Sequence, residues 1–191
     1  MELIFIRHGE AEHTLNIPNS LQISDPLLTD EGINQAKMLR TQLPLSTKDI
    51  LVISPLRRAL QTAHYWSEGI NCKKLVNPLV SPRKFPQVSE GRTLPCDELL
   101  DRKKISDEFP SIKIEEELPE ELWVNGINIL PQQDFDYLAK QFLDWCRQQE
   151  TQKVYIISHD GTITSYRQFI SGDKLTRDDF PKETGWFNIK F

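Results

Sequence analysis

Leu3-Ile4-Phe5-Ile6-Arg7-His8-Gly9 is the stretch whose reading decides the fold. Four consecutive apolar residues form a strand buried on both faces, as in a parallel sheet. The run stops at a cation, an imidazole and a residue with no side chain. Open α/β sheets bind their ligands at that end of a strand. The arrangement recurs twice. Val154-Tyr155-Ile156-Ile157 runs into Ser158-His159-Asp160-Gly161, and Ile50-Leu51-Val52-Ile53 runs into Ser54-Pro55-Leu56-Arg57-Arg58. Three strands thus each deliver His or Arg at their ends. Two imidazoles and two or three guanidiniums gathered there suit a phosphate group and a nucleophile that attacks it.

Between these runs the apolar spacing turns helical. Thr29 is an N-cap, Ile33, Ala36, Leu39 and Leu43 recur behind it, and Pro44 ends the helix. Leu56, Ala59, Leu60 and Ala63 line a second helix after Pro55. Phe135, Leu138, Ala139, Phe142, Leu143 and Cys146 mark a third, over about Asp134 to Gln149. A fourth begins after Gly161. The tail alternates Phe187, Ile189 and Phe191 with Trp186, Asn188 and Lys190, which suits a half-exposed edge strand. Strands alternating with helices predict an α/β three-layer sandwich, a mostly parallel central sheet with helices on both faces.

Two stretches lack this periodicity. Asn16 to Pro26 is polar and turn-rich. Pro78 to Pro131 is proline-rich and holds an acidic run, Glu115 to Glu121, read as a solvated face. The second stretch is predicted to be an insertion with short helices that caps the sheet, because a structureless loop of that length is rare. Residues 1–191 then form a single domain with a cap at about 78–131.

Composition narrows the function. The net charge of −5 excludes a general nucleic-acid binder, so any basic site is local. Cys72, Cys96 and Cys146 form no paired motif, which argues against a disulfide framework or a zinc site. Met1 leads straight into a strand and no apolar run has membrane-spanning length. The expectation is a cytoplasmic protein with no membrane partner.

Arg7-His8-Gly9, Ser54 to Thr62 (SPLRRALQT) and Ser158-His159-Asp160-Gly161, in that order, resemble the motifs of the histidine phosphatase superfamily, the phosphoglycerate-mutase-like fold. Asp25-Pro26-Leu27-Leu28-Thr29, with Gly32 and Gln35-Ala36, resembles the stretch ahead of that family's first helix. The resemblance covers nearly the whole chain. Where many members carry Thr or Ser, this chain has Ala11, and the His13-Thr14 pair and Asn16 stand in for that contact. Where many carry a glutamate after the third strand, this chain reads Leu79-Val80-Ser81-Pro82-Arg83.

The resemblance and the chemistry together name the site. His8 is the nucleophile and forms a phosphohistidine. Arg7, Arg58 and His159 donate to the phosphoryl oxygens, and of the adjacent arginines the Arg-Ala pattern selects Arg58 over Arg57. Gly9 and Gly161 allow close approach of the phosphate. Ser54 either caps a helix or touches phosphate, and Thr162 is an N-cap. The proton for the leaving oxygen comes from Glu90 or from Asp160. Arg83 and Arg92 reach the rest of an anionic substrate. No metal or cofactor is implied. The expected activity is hydrolysis of a small phosphorylated substrate, releasing inorganic phosphate. A mutase-type phosphotransferase and a catalytically weak phospho-ligand-binding module are the alternatives.

Overall fold

The computed structural model of the chain describes residues 1–88 and 91–190. Its elements follow the periodicity: β1 (Glu2–Arg7), α1 (Asp30–Gln42), β2 (Ile50–Ile53), α2 (Arg57–Trp66), β3 (Lys73–Val76), α3 (Arg102–Glu108), β4 (Lys113–Ile114), α4 (Glu120–Asn125), α5 (Gln132–Arg147), β5 (Lys153–Ser158), α6 (Asp160–Ser171) and β6 (Trp186–Lys190). The six strands form one sheet in the order β4-β3-β2-β5-β1-β6. All pairings are parallel except β1 with β6. This is the mostly parallel α/β architecture anticipated from the sequence.

The pleat sorts the core onto two faces. Leu3, Phe5, Val52, Val154 and Ile156 pack with Phe135, Phe142 and Cys146 of α5 and with Ile163 and Tyr166 of α6. Ile4, Ile6, Leu51, Ile53, Tyr155 and Ile157 face the other way, onto Leu39 of α1 and Ala59, Leu60, Ala63 and Trp66 of α2. Strands covered on both faces need continuous apolar runs, which is why these read without polar alternation. The tail strand β6 lies at the sheet edge, with Ile189 buried and Trp186 exposed; Phe191 lies outside the described residues.

Helix boundaries differ from the sequence reading in one informative place. The last helix starts at Asp160 with His159 as its N-cap residue. Thr162 is therefore not a cap. It is buried in the first turn and donates its hydroxyl to the Ser81 carbonyl oxygen at 2.7 Å. Thr29 does cap α1, accepting from the Gly32 N–H.

The segment 78–131 contains short helical turns at Pro78–Val80 and Pro95–Asp97, the helices α3 and α4, and the strand β4, which pairs with β3 to extend the sheet. No described helix is long and apolar enough to cross a membrane.

Strand order sets the site. β5 lies between β2 and β1, with Arg7 opposite Ser158 and Ile53 opposite Ile157. The residues after all three strands therefore emerge side by side. Two glycines let the backbone close in there. A Cβ on Gly9 would stand 2.6 Å from the Gly32 carbonyl oxygen, and one on Gly161 only 2.2 Å from that of Arg83. Backbone cannot move aside as a side chain can. Gly161→Ala is expected to lower unfolding free energy by about 1–3 kcal/mol, the scale of an overpacked core. Urea denaturation of the variant checks this; an unchanged midpoint would mean that the helix start gives way at no cost.

Candidate active site

His8 is 2% exposed. Its Nδ1 lies 2.7 Å from the Gly9 carbonyl oxygen, which can only accept. The proton is thus on Nδ1. Agreeing with this, Nε2 accepts from the Arg58 Nε–H at 3.1 Å. Two partners therefore fix one tautomer, with the lone pair on Nε2. Burial first, then the charges of Arg58, His13 and Arg7, hold the ring well below the usual imidazole range, so it stays neutral near pH 7. The Gly9 contact opposes this only in part.

Arg58, in the first turn of α2, is the hub. Its guanidinium is 1% exposed. Besides His8 it donates to the Cys96 carbonyl oxygen at 2.6 Å, to Asp97 Oδ1 at 2.9 Å and to His159 Nδ1 at 3.3 Å. Because Nδ1 of His159 accepts, its proton sits on Nε2, which donates to Ser54 Oγ at 2.7 Å. Ser54 thus does not cap α2; it orients the second imidazole. The His8 and His159 rings are 5.1 Å apart between centroids. Burial, then Arg58, keep His159 neutral as well.

Arg7 closes the other side. It donates to the Pro181 carbonyl oxygen at 2.9 Å and pairs with Asp160 at 3.1 Å and Glu183 at 3.3 Å. Its Nε–H is buried without a partner among the described residues. A third imidazole, His13, lies 5.5 Å from His8 between centroids, and its Nδ1 likewise has no described partner. Burial and the fields of Arg58 and Arg7 push His13 down to about 3. Two guanidiniums and three neutral imidazoles therefore surround one spot. That arrangement can hold an anion and present a nucleophilic nitrogen to it.

Comparison with known proteins agrees with this geometry. Residues 3–95 match the model of the histidine phosphatase superfamily, branch 1. A solved structure of a phosphoserine phosphatase mutant from Entamoeba histolytica, in complex with phosphoserine, is 25% identical. It superposes with a TM-score of 0.61 over 98% of this chain and 89% of that one. The N-terminal half of the chain is thus similar to the histidine phosphatase superfamily, and the whole chain shares the fold of this solved phosphatase. The alpha-ribazole phosphatase of Shigella flexneri, 22% identical, shares the fold with a TM-score of 0.62 over 100% of this chain and 90% of its own. In sequence, the 5''-phosphoribostamycin phosphatase of Niallia circulans is 34% identical over 102 residues, 48% of each protein. The chain spans half or less of the length of the curated relatives it matches.

The residues singled out from sequence fall into two groups. His8, Arg7, Arg58, His159 and Asp160 come together. Several others do something different from what their motifs suggested. His159 has no donor to spare, since one nitrogen accepts and the other serves Ser54. The N–H of Gly9 is spent on Thr62 Oγ1 at 3.1 Å, and that of Gly161 on Asp160 Oδ1 at 2.6 Å. Asp160 is bound twice, by that N–H and by Arg7.

Arg83 is a correction. It is buried, donates to the carbonyl oxygens of Ile127 and Leu130, and lies 4.2 Å over the Phe135 ring. It therefore ties the insertion to α5 rather than reaching toward substrate. Burial pushes it down to about 10. Arg57 is paired with Asp25 and Glu108, and Arg92 is exposed. Glu90 lies outside the described residues. Asn16 is exposed and its backbone N–H meets Ser20, so His13 alone of the three stand-ins nears His8.

Sequence reasoning missed Asp97 and Cys96 altogether. Their partners are separated from them by nearly forty residues and by an irregular segment, so no local pattern joins them. The carbonyl of Cys96 could not be read from any side-chain motif.

Three neutral imidazoles, His8 and His159 buried and His13 half-buried, make stability depend on pH. In the unfolded chain each takes up a proton near its ordinary value of about 6.5, whereas in the fold His8, His13 and His159 resist protonation. Below that value the unfolded state binds more protons, so stability falls as pH drops. The urea midpoint is expected to decline steadily from pH 7 to pH 5, and less steeply in His13→Asn. A flat profile in this window would contradict the buried neutral assignment.

Proposed function

We propose that the protein is a cofactor-independent phosphatase that hydrolyses a small phosphate monoester through a phosphohistidine on His8. The observation that carries this is the fixed tautomer of His8. Its lone pair is on Nε2 and points at a guanidinium. An incoming phosphate would take over the Arg58 Nε–H as acceptor, which frees the lone pair for in-line attack. The unpaired Arg7 Nε–H supplies a second charged donor to the equatorial oxygens. When Nε2 bonds to phosphorus, the ring becomes cationic, and the Gly9 carbonyl stabilises its Nδ1–H. The water that attacks next regenerates neutral His8 and releases inorganic phosphate.

The relatives support this reading: they include phosphatases of 5''-phosphoribostamycin and of phosphoserine, and a neighbouring structure of the latter carries 3-phosphoglyceric acid. The chemistry asks for no metal, since guanidiniums can supply the positive charge to the phosphoryl oxygens. We read the chain as one domain whose segment 78–131 covers the site. The three unpaired cysteines fit a reducing, cytoplasmic setting.

Turnover of p-nitrophenyl phosphate tests the reading directly. Wild type should release phosphate at an unchanged rate in EDTA. His8→Ala should lose at least ~10³-fold, the scale seen when a covalent nucleophile is removed. A rapid acid-free quench should trap base-stable, acid-labile label on His8. Near-wild-type turnover by His8→Ala would overturn the mechanism, and isomerised substrate in place of released phosphate would make the protein a mutase.

A further inference from the structure

The leaving oxygen of an alkyl phosphate ester needs a proton, and the two acids read from sequence do not supply an evident donor. Glu90 lies outside the described residues. Asp160 accepts from the Gly161 N–H with one oxygen and from Arg7 with the other. His159 has none to give, because its Nε2–H is held by Ser54. A third carboxyl, Asp97, faces the same guanidinium as the nucleophile. It ends the short turn Pro95–Asp97 in the insertion.

Arg58 donates through Nε to His8 Nε2 at 3.1 Å and through Nη2 to Asp97 Oδ1 at 2.9 Å. Those two nitrogens are arms of the planar fork by which arginine grips a phosphate. The groups now resting on the two arms are therefore the groups that flank a phosphate when it takes the fork. The nucleophile stands at one arm and Asp97 at the other, with His159 Nδ1 sharing the second.

Asp97 also keeps reactive capacity. Its Oδ2 has only Asn128 Nδ2, at 3.5 Å, the long limit of a hydrogen bond. A carboxylate only accepts, so the amide nitrogen must face it, which leaves Asn128 Oδ1 buried and unpartnered among the described residues. Asn128 is 3% exposed and so holds Asp97 from the protein side. The Asp97 side chain is 20% exposed, against 1% for Arg58. Substrate can reach this carboxyl.

We propose that Asp97 is the proton donor to the leaving oxygen, a role that rests on the phosphatase reading above. A monoester arriving with one proton shares it with Asp97, since two anions in one pocket hold a proton between them. As His8 Nε2 bonds to phosphorus, the ester P–O bond breaks and the Asp97 proton passes to the departing oxygen. The products are an alcohol, phosphohistidine and an Asp97 carboxylate. Water then attacks phosphorus and gives its proton to Asp97. The P–N bond breaks, its electron pair returns to Nε2, and inorganic phosphate leaves. The same carboxyl serves as acid and then as base.

Leaving-group dependence tests this. Asp97→Asn keeps an acceptor oxygen for Arg58 and nearly the same volume but cannot donate a proton in this way. Its kcat/KM on an alkyl ester, 2-glycerol phosphate, should fall by ~10²-fold or more, the scale of general acid catalysis. On p-nitrophenyl phosphate, whose leaving oxygen departs without a proton, the loss should stay under about tenfold. Asp97→Ser should show the same selectivity, which guards against a folding defect of one variant. An equal loss on both esters would overturn the proposal and make Asp97 a positioning residue for Arg58. Selective loss in Asp160→Asn or Glu90→Gln, with none in Asp97→Asn, would move the role to that residue. If wild type hydrolyses neither ester, the phosphatase reading falls and this proposal with it.

Discussion

A guanidinium at 1% exposure cannot remain charged unless its donors are matched, and the architecture around Arg58 is arranged to match them. Its partners come from three separate places: His8 after β1, His159 after β5, and Cys96 and Asp97 in one turn of the insertion. Burial pulls Arg58 down from the usual guanidinium range, and the Asp97 charge pulls it back. Removing any one partner strands part of a buried cation. The sheet order matters because it alone brings β1, β2 and β5 together as neighbours. The insertion matters because it supplies the only carboxylate among the described residues that pairs directly with this arginine.

Burial, and after it the same cation, keeps the imidazoles neutral. A protonated His8 could not attack phosphorus. Desolvation is the largest cause of its neutrality, and the neighbouring positive charges add to it. The site thus uses one set of charges for two ends. Arg58 and Arg7 make the pocket positive, as the proposed phosphate site requires, and by being there they help keep protons off the neighbouring imidazoles. The negative groups are placed at the rim of this field. Asp160 and Glu183 hold Arg7, and Asp97 holds Arg58. None of the three pairs with an imidazole, which would have raised that ring toward the protonated form.

Much of this was legible in the chain. Strand ends are marked by unbroken apolar runs, and the residues just past a run are local information. Arg7-His8-Gly9, Ser54 to Arg58 and Ser158-His159-Asp160 could be set side by side for that reason. The motif glycines were legible as glycines but not by cause. Each reads as room for phosphate, whereas Gly9 and Gly161 make room for the carbonyl oxygens of Gly32 and Arg83. Arg83 misled in the same way. A lone arginine near a phosphate motif suggests an anion, but its fork is spent on the Ile127 and Leu130 carbonyls. Contacts between side chain and distant backbone leave no trace in a one-dimensional pattern.

The insertion is where that limit is most severe, and the reason is physical. Its short helices and turns are held by packing and by scattered side-chain bonds rather than by a long amphipathic period. Ser81 takes the Ile127 N–H on its hydroxyl oxygen and the Thr162 hydroxyl on its carbonyl, so one small residue pins the start of the insertion to its end and to α6. In the stretch Leu79 to Arg83, which holds no carboxyl, Ser81 thus serves architecture. A carboxyl there would have to displace a buried hydroxyl that lies 2.6 Å from where a Cβ on Gly126 would stand. The turn that carries Cys96 and Asp97 meets the opposite arm of the same guanidinium that meets His8.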